Sequence, residues 1–383
     1  MLRSLLLLGL VALAVVSVPG VLEAQEPYLV YVGTYTGKKS KGVYVLEFDP
    51  KTGKLSDKAT LAAEIASPSF LAIHPRDNYL YACGETADFG KVKAGTINAF
   101  SFDSKTGKLT FLNRESSGGG GPCHVIVDRS GKCVLAANYG GGSVVSLPIQ
   151  EGGKLGPAGS FHQHKGSSVD KARQEGPHAH SINVDQKNQF ALACDLGLDK
   201  VFVYRLDPDK AKLTEHGFGE VPPGGGPRHL AVAPNNHFVY VCNEMTLTVT
   251  TFAFDEDKGT LKPLQTISTL PEGFKGKGLS TAETVIHPSG KFVYVSNRGH
   301  DTIAMFSVNK NGTLTPIGHE STKGKTPRNF AIEPSGQFLI AANQDSDSLA
   351  VFRIDPESGR LTATGQVVEV PAPVCVRFVR KGR

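Results

Sequence analysis

The chain has 383 residues, with 43 glycines, no tryptophan and a formal net charge of +5. One ordinary core does not extend over that length, so the chain needs either several domains or a large barrel or ring fold. A charge this mild, with no Lys/Arg run and no basic-aromatic stripe, gives no nucleic-acid footprint.

In chain order, the first element is MLRSLLLLGLVALAVVSVPGVLEA at 1–24. Arg3 supplies a positive start, a Leu/Val-rich stretch follows, and small residues precede a cut near Ala24–Gln25. This pattern reads as a secretory signal peptide, with an uncleaved membrane anchor as the alternative. Residues 25–383 then form one exported domain, periplasmic or secreted, with no stable membrane insertion after cleavage.

Beyond this segment a hairpin recurs. It reads SPSFLAIHPRDNYLYACGE at 67–85, GPCHVIVDRSGKCVLAANY at 121–139 and HSINVDQKNQFALACDL at 180–196, the last preceded by GPHA. It returns as GPRHLAVAPNNHFVYVCNE at 226–244, STAETVIHPSGKFVYVSNR at 280–298 and TPRNFAIEPSGQFLIAANQ at 326–344. β-rich runs flank Gly, Pro, Asn and Asp turns in each copy. A seventh copy is split: APVCVRFV at 372–379 is its first strand and YLVYVGTY at 28–35 its second. Between copies lie two more strand-like runs around a turn, as in GTINAFSFDSKTGKLTFLNRE and SLAVFRIDPESGRLTATGQV. The repeat is 46 to 55 residues, as counted from Pro327 to Pro373 and from Pro122 to Pro177. Four strands at this period predict an all-β fold, a seven-bladed β-propeller with four antiparallel strands per blade. The C-terminal strand should close the ring by joining the N-terminal strands in one blade, which removes an open sheet edge.

The copies align without gaps, pairing 69 with 85, 123 with 139, 180 with 196, 228 with 244, 282 with 298 and 328 with 344. Two residues before the right-hand position the side chain is always small: Gly33, Cys83, Ala137, Cys194, Cys242, Ser296 and Ala342. Three of the six cysteines thus belong to a packing column, and buried free thiols are expected rather than disulfides. The right-hand column itself is mixed: Tyr35, Glu85, Tyr139, Leu196, Glu244, Arg298 and Gln344. So is the left-hand one: Ser69, Cys123, His180, Arg228, Ala282, Arg328 and Val374. Variation inside a regular repeat marks these columns as the ring around one channel mouth.

Consecutive repeats carry His178 and His180, then Arg228, His229 and Glu244, then Glu283 and Arg298. Acid, imidazole and guanidinium in one concave mouth suit acid–base chemistry on an anionic or carbonyl substrate, and blade-to-blade ion pairs are the competing reading. Tyr139 and Gln344 join His178, His229 and Glu283 as candidates for substrate binding. Histidines 162, 164, 178 and 180 could pair as metal ligands, but their spacing is generic and no metal or cofactor is expected. The column Asn138, Asp195, Asn243, Asn297 and Asn343 suits strand-end capping better than calcium. Asn311-Gly312-Thr313 is a glycosylation sequon, and the Gly-rich stretches open no helix, so phosphate loops are excluded.

YVGTYT, ANYGGGSV, RQEGPHAHS, GPRH, NE, TAET and VSNRG, in this order, resemble the seven-bladed propeller lactonase family. That family includes propeller-type 6-phosphogluconolactonases and carboxy-muconate cycloisomerases. The resemblance covers about 28–379 and implies a metal-independent site at the channel mouth acting on a small-molecule lactone. It places the catalytic histidine at His180, the arginines at Arg228 and Arg298, and the glutamate at Glu244. Either His180 or Glu244 would serve as base, with Arg228 and Arg298 on the oxyanion. The expected function is hydrolysis of a sugar-type or carboxylated lactone. The alternatives are cycloisomerisation by the same residues, or a non-catalytic exported propeller that binds protein or carbohydrate. Export sits poorly with a cytoplasmic phosphogluconolactone substrate.

Overall fold

The computed structural model describes residues 26–383 apart from 88 and 90–92, so the segment 1–24 read as a signal peptide lies outside the described residues. Each hairpin copy forms the two innermost strands of a sheet, and the runs between copies form the two outer strands. In the fifth blade these are Pro227–Val232, Phe238–Asn243, Thr248–Asp255 and Thr260–Ser268. Six sheets of this kind follow one another through the chain. The remaining sheet, counted as the first blade because Tyr28–Thr34 opens it, is assembled from both ends: Pro373–Arg380 pairs antiparallel with Tyr28–Thr34, bringing Val30 opposite Phe378 and Gly33 opposite Cys375. Its outer strand is split into Lys54–Leu55 and Thr60–Glu64. The ring is therefore closed as the split repeat predicts.

Apolar clusters span neighbouring sheets. Val30, Phe48 and Val376 of the closing blade pack with Phe338, Ile340 and Val351 of the blade before it. Polar ties repeat beside this packing. The hydroxyls of Tyr31, Tyr81, Tyr240 and Tyr294 donate to the carbonyls of Gly107, Gly153, Gly312 and Gly359, each in an outer turn of the next blade. Glycine is required in such turns: Gly312 has φ +83, and a Cβ there would lie 2.2 Å from the Phe238 ring. This accounts for the glycine in runs such as KNGT and PESGR.

The small column is fully buried from Cys83 through Ala342, and a Cβ on Gly33 would meet the Pro68 carbonyl at 2.4 Å. All six cysteines are buried and unpaired in disulfides. The Asn column caps strand ends: Asn138 donates to Ser117 O, Asn297 to Thr269 O and Asn343 to Thr322 O.

The copies stay in register with one another, but the expected cross-strand pairing is off by one at the inner-strand entrance. Pro227 pairs with Asn243 and His229 with Cys242, so Arg228 has no backbone partner opposite it. Cys123, His180, Arg328 and Val374 are skipped in the same way, and in the sixth blade the slip lies between Thr281 and Thr284. The left-hand column is thus a column of β-bulges. A bulge adds one residue to one strand and re-aims its side chain. That is how Arg228 reaches Glu244, although the backbone of Glu244 bonds Gly226.

Candidate active site

The bulges and the strand ends opposite them build a cavity of about 260 Å³ at one channel mouth. Strand ends supply Glu85, Tyr139, Glu244 and Arg298, bulges supply Cys123, His180 and Arg328, and Arg173 enters from the connection between blades three and four.

Glu244 is the electrostatic centre. Its Oε2 accepts from Arg228 Nε at 2.9 Å and faces Arg298 Nη2 at 3.1 Å, while Oε1 accepts from Arg173 Nη2 at 2.8 Å. Burial alone would raise its pKa, but Arg298, Arg228 and Arg173 outweigh burial and hold the carboxyl at about 2. Among these arginines only Arg298 and Arg173 line the cavity. The Arg228 side chain is 2% exposed and donates behind Glu244 to the Ala282 carbonyl at 2.6 Å. It is a wall residue, not the rim residue its position at a strand end suggests. Arg298 also donates to Thr281 O, and burial together with Arg228 lowers it to about 10. Its Nε is buried with no hydrogen-bond partner among the described residues. Arg328 donates to the Tyr35 hydroxyl, which donates in turn to Glu85.

His180 stands beside this network. Its Nδ1 lies 3.6 Å from Cys123 Sγ and its Nε2 lies 3.9 Å from Glu244 Oε2. Nε2 has no hydrogen-bond partner among the described residues. Burial, reinforced by Arg228, His229 and Arg328, holds the imidazole well below its ordinary 6.5, so it is neutral at pH 7. Burial and Glu85 push the Cys123 thiol up, so it stays protonated and donates to the His180 carbonyl. Both oxygens of the Glu244 carboxylate are taken by guanidiniums, whereas Nε2 of the neutral imidazole is left open.

The other predicted binding residues are dispersed. His178 stacks on Tyr139 with centroids 4.7 Å apart and contacts Tyr139 O and Glu175, outside the cavity. Gln344 bonds Asp345 next to it and lies outside as well. His229 and Glu283 form a pair at 3.0 Å within a second chamber of about 340 Å³ further along the channel. The rings of His180, His229, His124 and Phe70, with centroids 4.1 to 5.3 Å apart along the row, separate the two chambers. The histidines weighed as metal ligands go separate ways: His162 to Leu213 O and Glu215, and His164 to Asp195 and Tyr204.

Arg328, Cys123 and Glu85 lie outside the cluster of three consecutive repeats, yet they stand in the two mixed columns, and extending the column argument to every blade finds them. Arg173 has no counterpart in other repeats, so no column signals it.

A sequence model of the family described as "Lactonase, 7-bladed beta-propeller" matches residues 29–378. The 6-phosphogluconolactonase of Bacillus subtilis (strain 168) is 38% identical over 355 residues, covering 92% of this chain and 99% of the relative. A 6-phosphogluconolactonase of Formosa agariphila is 37% identical over 350 residues, covering 89% and 96%. Among solved structures, the periplasmic gluconolactonase PpgL of Pseudomonas aeruginosa superposes with a TM-score of 0.86 at 34% identity, covering 93% of this chain and 99% of that one.

Proposed function

The chain belongs to the lactonase family of seven-bladed β-propellers and is a lactonase; from that premise we propose that it hydrolyses a sugar-type or carboxylated lactone in the cavity around Glu244, with His180 as general base. The observation that carries this reading is a neutral imidazole set beside a carboxylate that three guanidiniums hold ionised.

In this reading a water attacks the ring carbonyl carbon and gives a proton to His180. Arg298 and Arg328 face the same cavity and stabilise the oxyanion, as fixed charges do best where water is excluded. Collapse of the tetrahedral species breaks the ring C–O bond, and protonated His180 returns its proton to the leaving oxygen. The product is the open hydroxy acid. Glu244 locks Arg298, and Arg228 locks Glu244, so Arg228 acts through its neighbour rather than on the substrate. Four arginines against Glu85 and Glu244 leave the cavity and its wall net positive, which suits a lactone that carries or develops negative charge.

Ring opening of several sugar and carboxylated lactones below pH 7, followed by proton release with and without chelator, tests the proposal. Catalysed opening that chelator leaves intact is expected. No acceleration over the spontaneous rate for any of them would refute it.

We also propose that the chain is exported. The apolar segment at 1–24 and the likeness to a periplasmic gluconolactonase support this reading. Mass spectrometry of the protein from its native host should then find a mature chain beginning near Gln25, and an intact Met1 would rule export by cleavage out.

A further inference from the structure

Arg173 differs from the other arginines of the site in where it comes from and in what it leaves free. It stands on a connection, not on a blade strand, and that connection is firmly seated. Asp170 Oδ1 accepts from the backbone N–H of Ala172 and Arg173 at 2.8 and 3.1 Å. The adjacent Gln174 is fully buried and donates to Leu196 O and Asp199 Oδ1 at 2.9 and 2.8 Å. Asp199 also holds Ser168 Oγ, Gly224 N and Gly226 N, which ties the connection to the entrance of the fifth blade. The guanidinium is therefore presented from a fixed base.

Its side chain is 44% exposed, against 2% for Arg228 and 14% for Arg298. Only Nη2 is engaged, with Glu244 and the Tyr139 hydroxyl, and Nε and Nη1 have no hydrogen-bond partner among the described residues. Arg173 and Glu244 line both the cavity and a neighbouring groove of about 400 Å³ that includes Val169, Met245 and Leu279. Arg173 thus stands between the reaction chamber and the neighbouring groove, with part of its guanidinium open to solvent.

We propose that Arg173 is a specificity-determining residue that binds a carboxylate or phosphate group carried on the lactone's exocyclic arm. The inference rests on the lactonase reading of the cavity. A planar guanidinium with free N–H groups matches the oxygens of either anion, and its fixed base lowers the ordering cost of binding.

The test uses the full chain and three substrates that share one ring: a neutral aldonolactone, the same lactone phosphorylated on its exocyclic carbon, and the same lactone oxidised there to a carboxylate. In Arg173→Gln, the loss in kcat/KM on the anionic lactones should exceed the loss on the neutral one by about tenfold, carried by KM, the scale of one charge-assisted hydrogen bond. Arg173→Lys should recover part of it. The arm with the larger loss identifies the preferred anion. Equal losses on all three would overturn the proposal, because Arg173 would then act only by holding Glu244. No loss on any would overturn it too. Calorimetric binding of the ring-opened phosphorylated and carboxylated products reads Arg173 without turnover: about tenfold weaker binding by Arg173→Gln is expected, and unchanged binding overturns the assignment. A wild-type protein that binds these acids through Arg173 but opens no lactone would instead refute the catalytic reading.

Discussion

His180→Gln leaves a folded ring whose lactone hydrolysis is slower by a factor on the order of 10²–10⁴, the range that a positioned general base supplies. Among the described residues the imidazole is the one group in the cavity that is neutral at pH 7 with a nitrogen free of protein hydrogen bonds, and glutamine cannot cycle a proton. The wild-type pH profile tests the same assignment. Burial and the neighbouring guanidiniums depress the His180 pKa well below 6.5, so the unprotonated base persists as pH falls through 6.5. kcat/KM should hold level there and decline only at more acidic pH. Glu244, held at about 2, stays ionised across that range and contributes no limb of its own. A folded His180→Gln protein with near-normal rates would exclude His180 as base. An acid limb centred at or above 6.5 would contradict the desolvated environment.

Arg228→Met should damage stability and catalysis together. A rim arginine would be thermodynamically dispensable, since exposed ion pairs are worth about 1 kcal/mol or less. Arg228 is instead buried, joined to Glu244 and to the Ala282 carbonyl. Its removal leaves a carbonyl and part of a carboxylate unpaired in a buried wall. The expected cost is about 3 kcal/mol, at the low end for a broken buried pair because Arg298 and Arg173 still face Glu244. Loss of the lock on Glu244 loosens Arg298, and hydrolysis should fall by a factor on the order of 10² or more. Arg228→Lys should be intermediate in melting temperature, since one ammonium reproduces the planar fork poorly. Measuring Tm and rate on both variants decides the matter. An unchanged Tm with impaired rate would place Arg228 on the substrate side, and unchanged values of both would remove it from the site.

The sequence by itself determined the number of blades, the closure by Pro373–Arg380 against Tyr28–Thr34, and the two columns from which most of the cavity is drawn. The physical reason is periodicity. Every blade must bury the same faces and turn at the same places, so residues that serve packing repeat, as the small column from Gly33 to Ala342 does, and residues that serve chemistry stand out. Only the tertiary structure decided which members of those columns meet. A bulge is a backbone slip of one residue with no composition of its own, so Cys123, His180, Arg228 and Arg328 could be aligned in sequence but not aimed. His229 and Glu283 each adjoin a column position, yet the pleat of the strand turns them to the second chamber, His229 within the row of rings that bounds it. Arg173 lies in a connection without a repeat mate, and its place over Glu244 depends on the adjacent Gln174 bonding Asp199, which also holds Gly226 at the entrance of the fifth blade. Burial depth and the neighbouring guanidiniums, which set the proton affinities of His180 and Glu244, are properties of the assembled ring and of no segment within it.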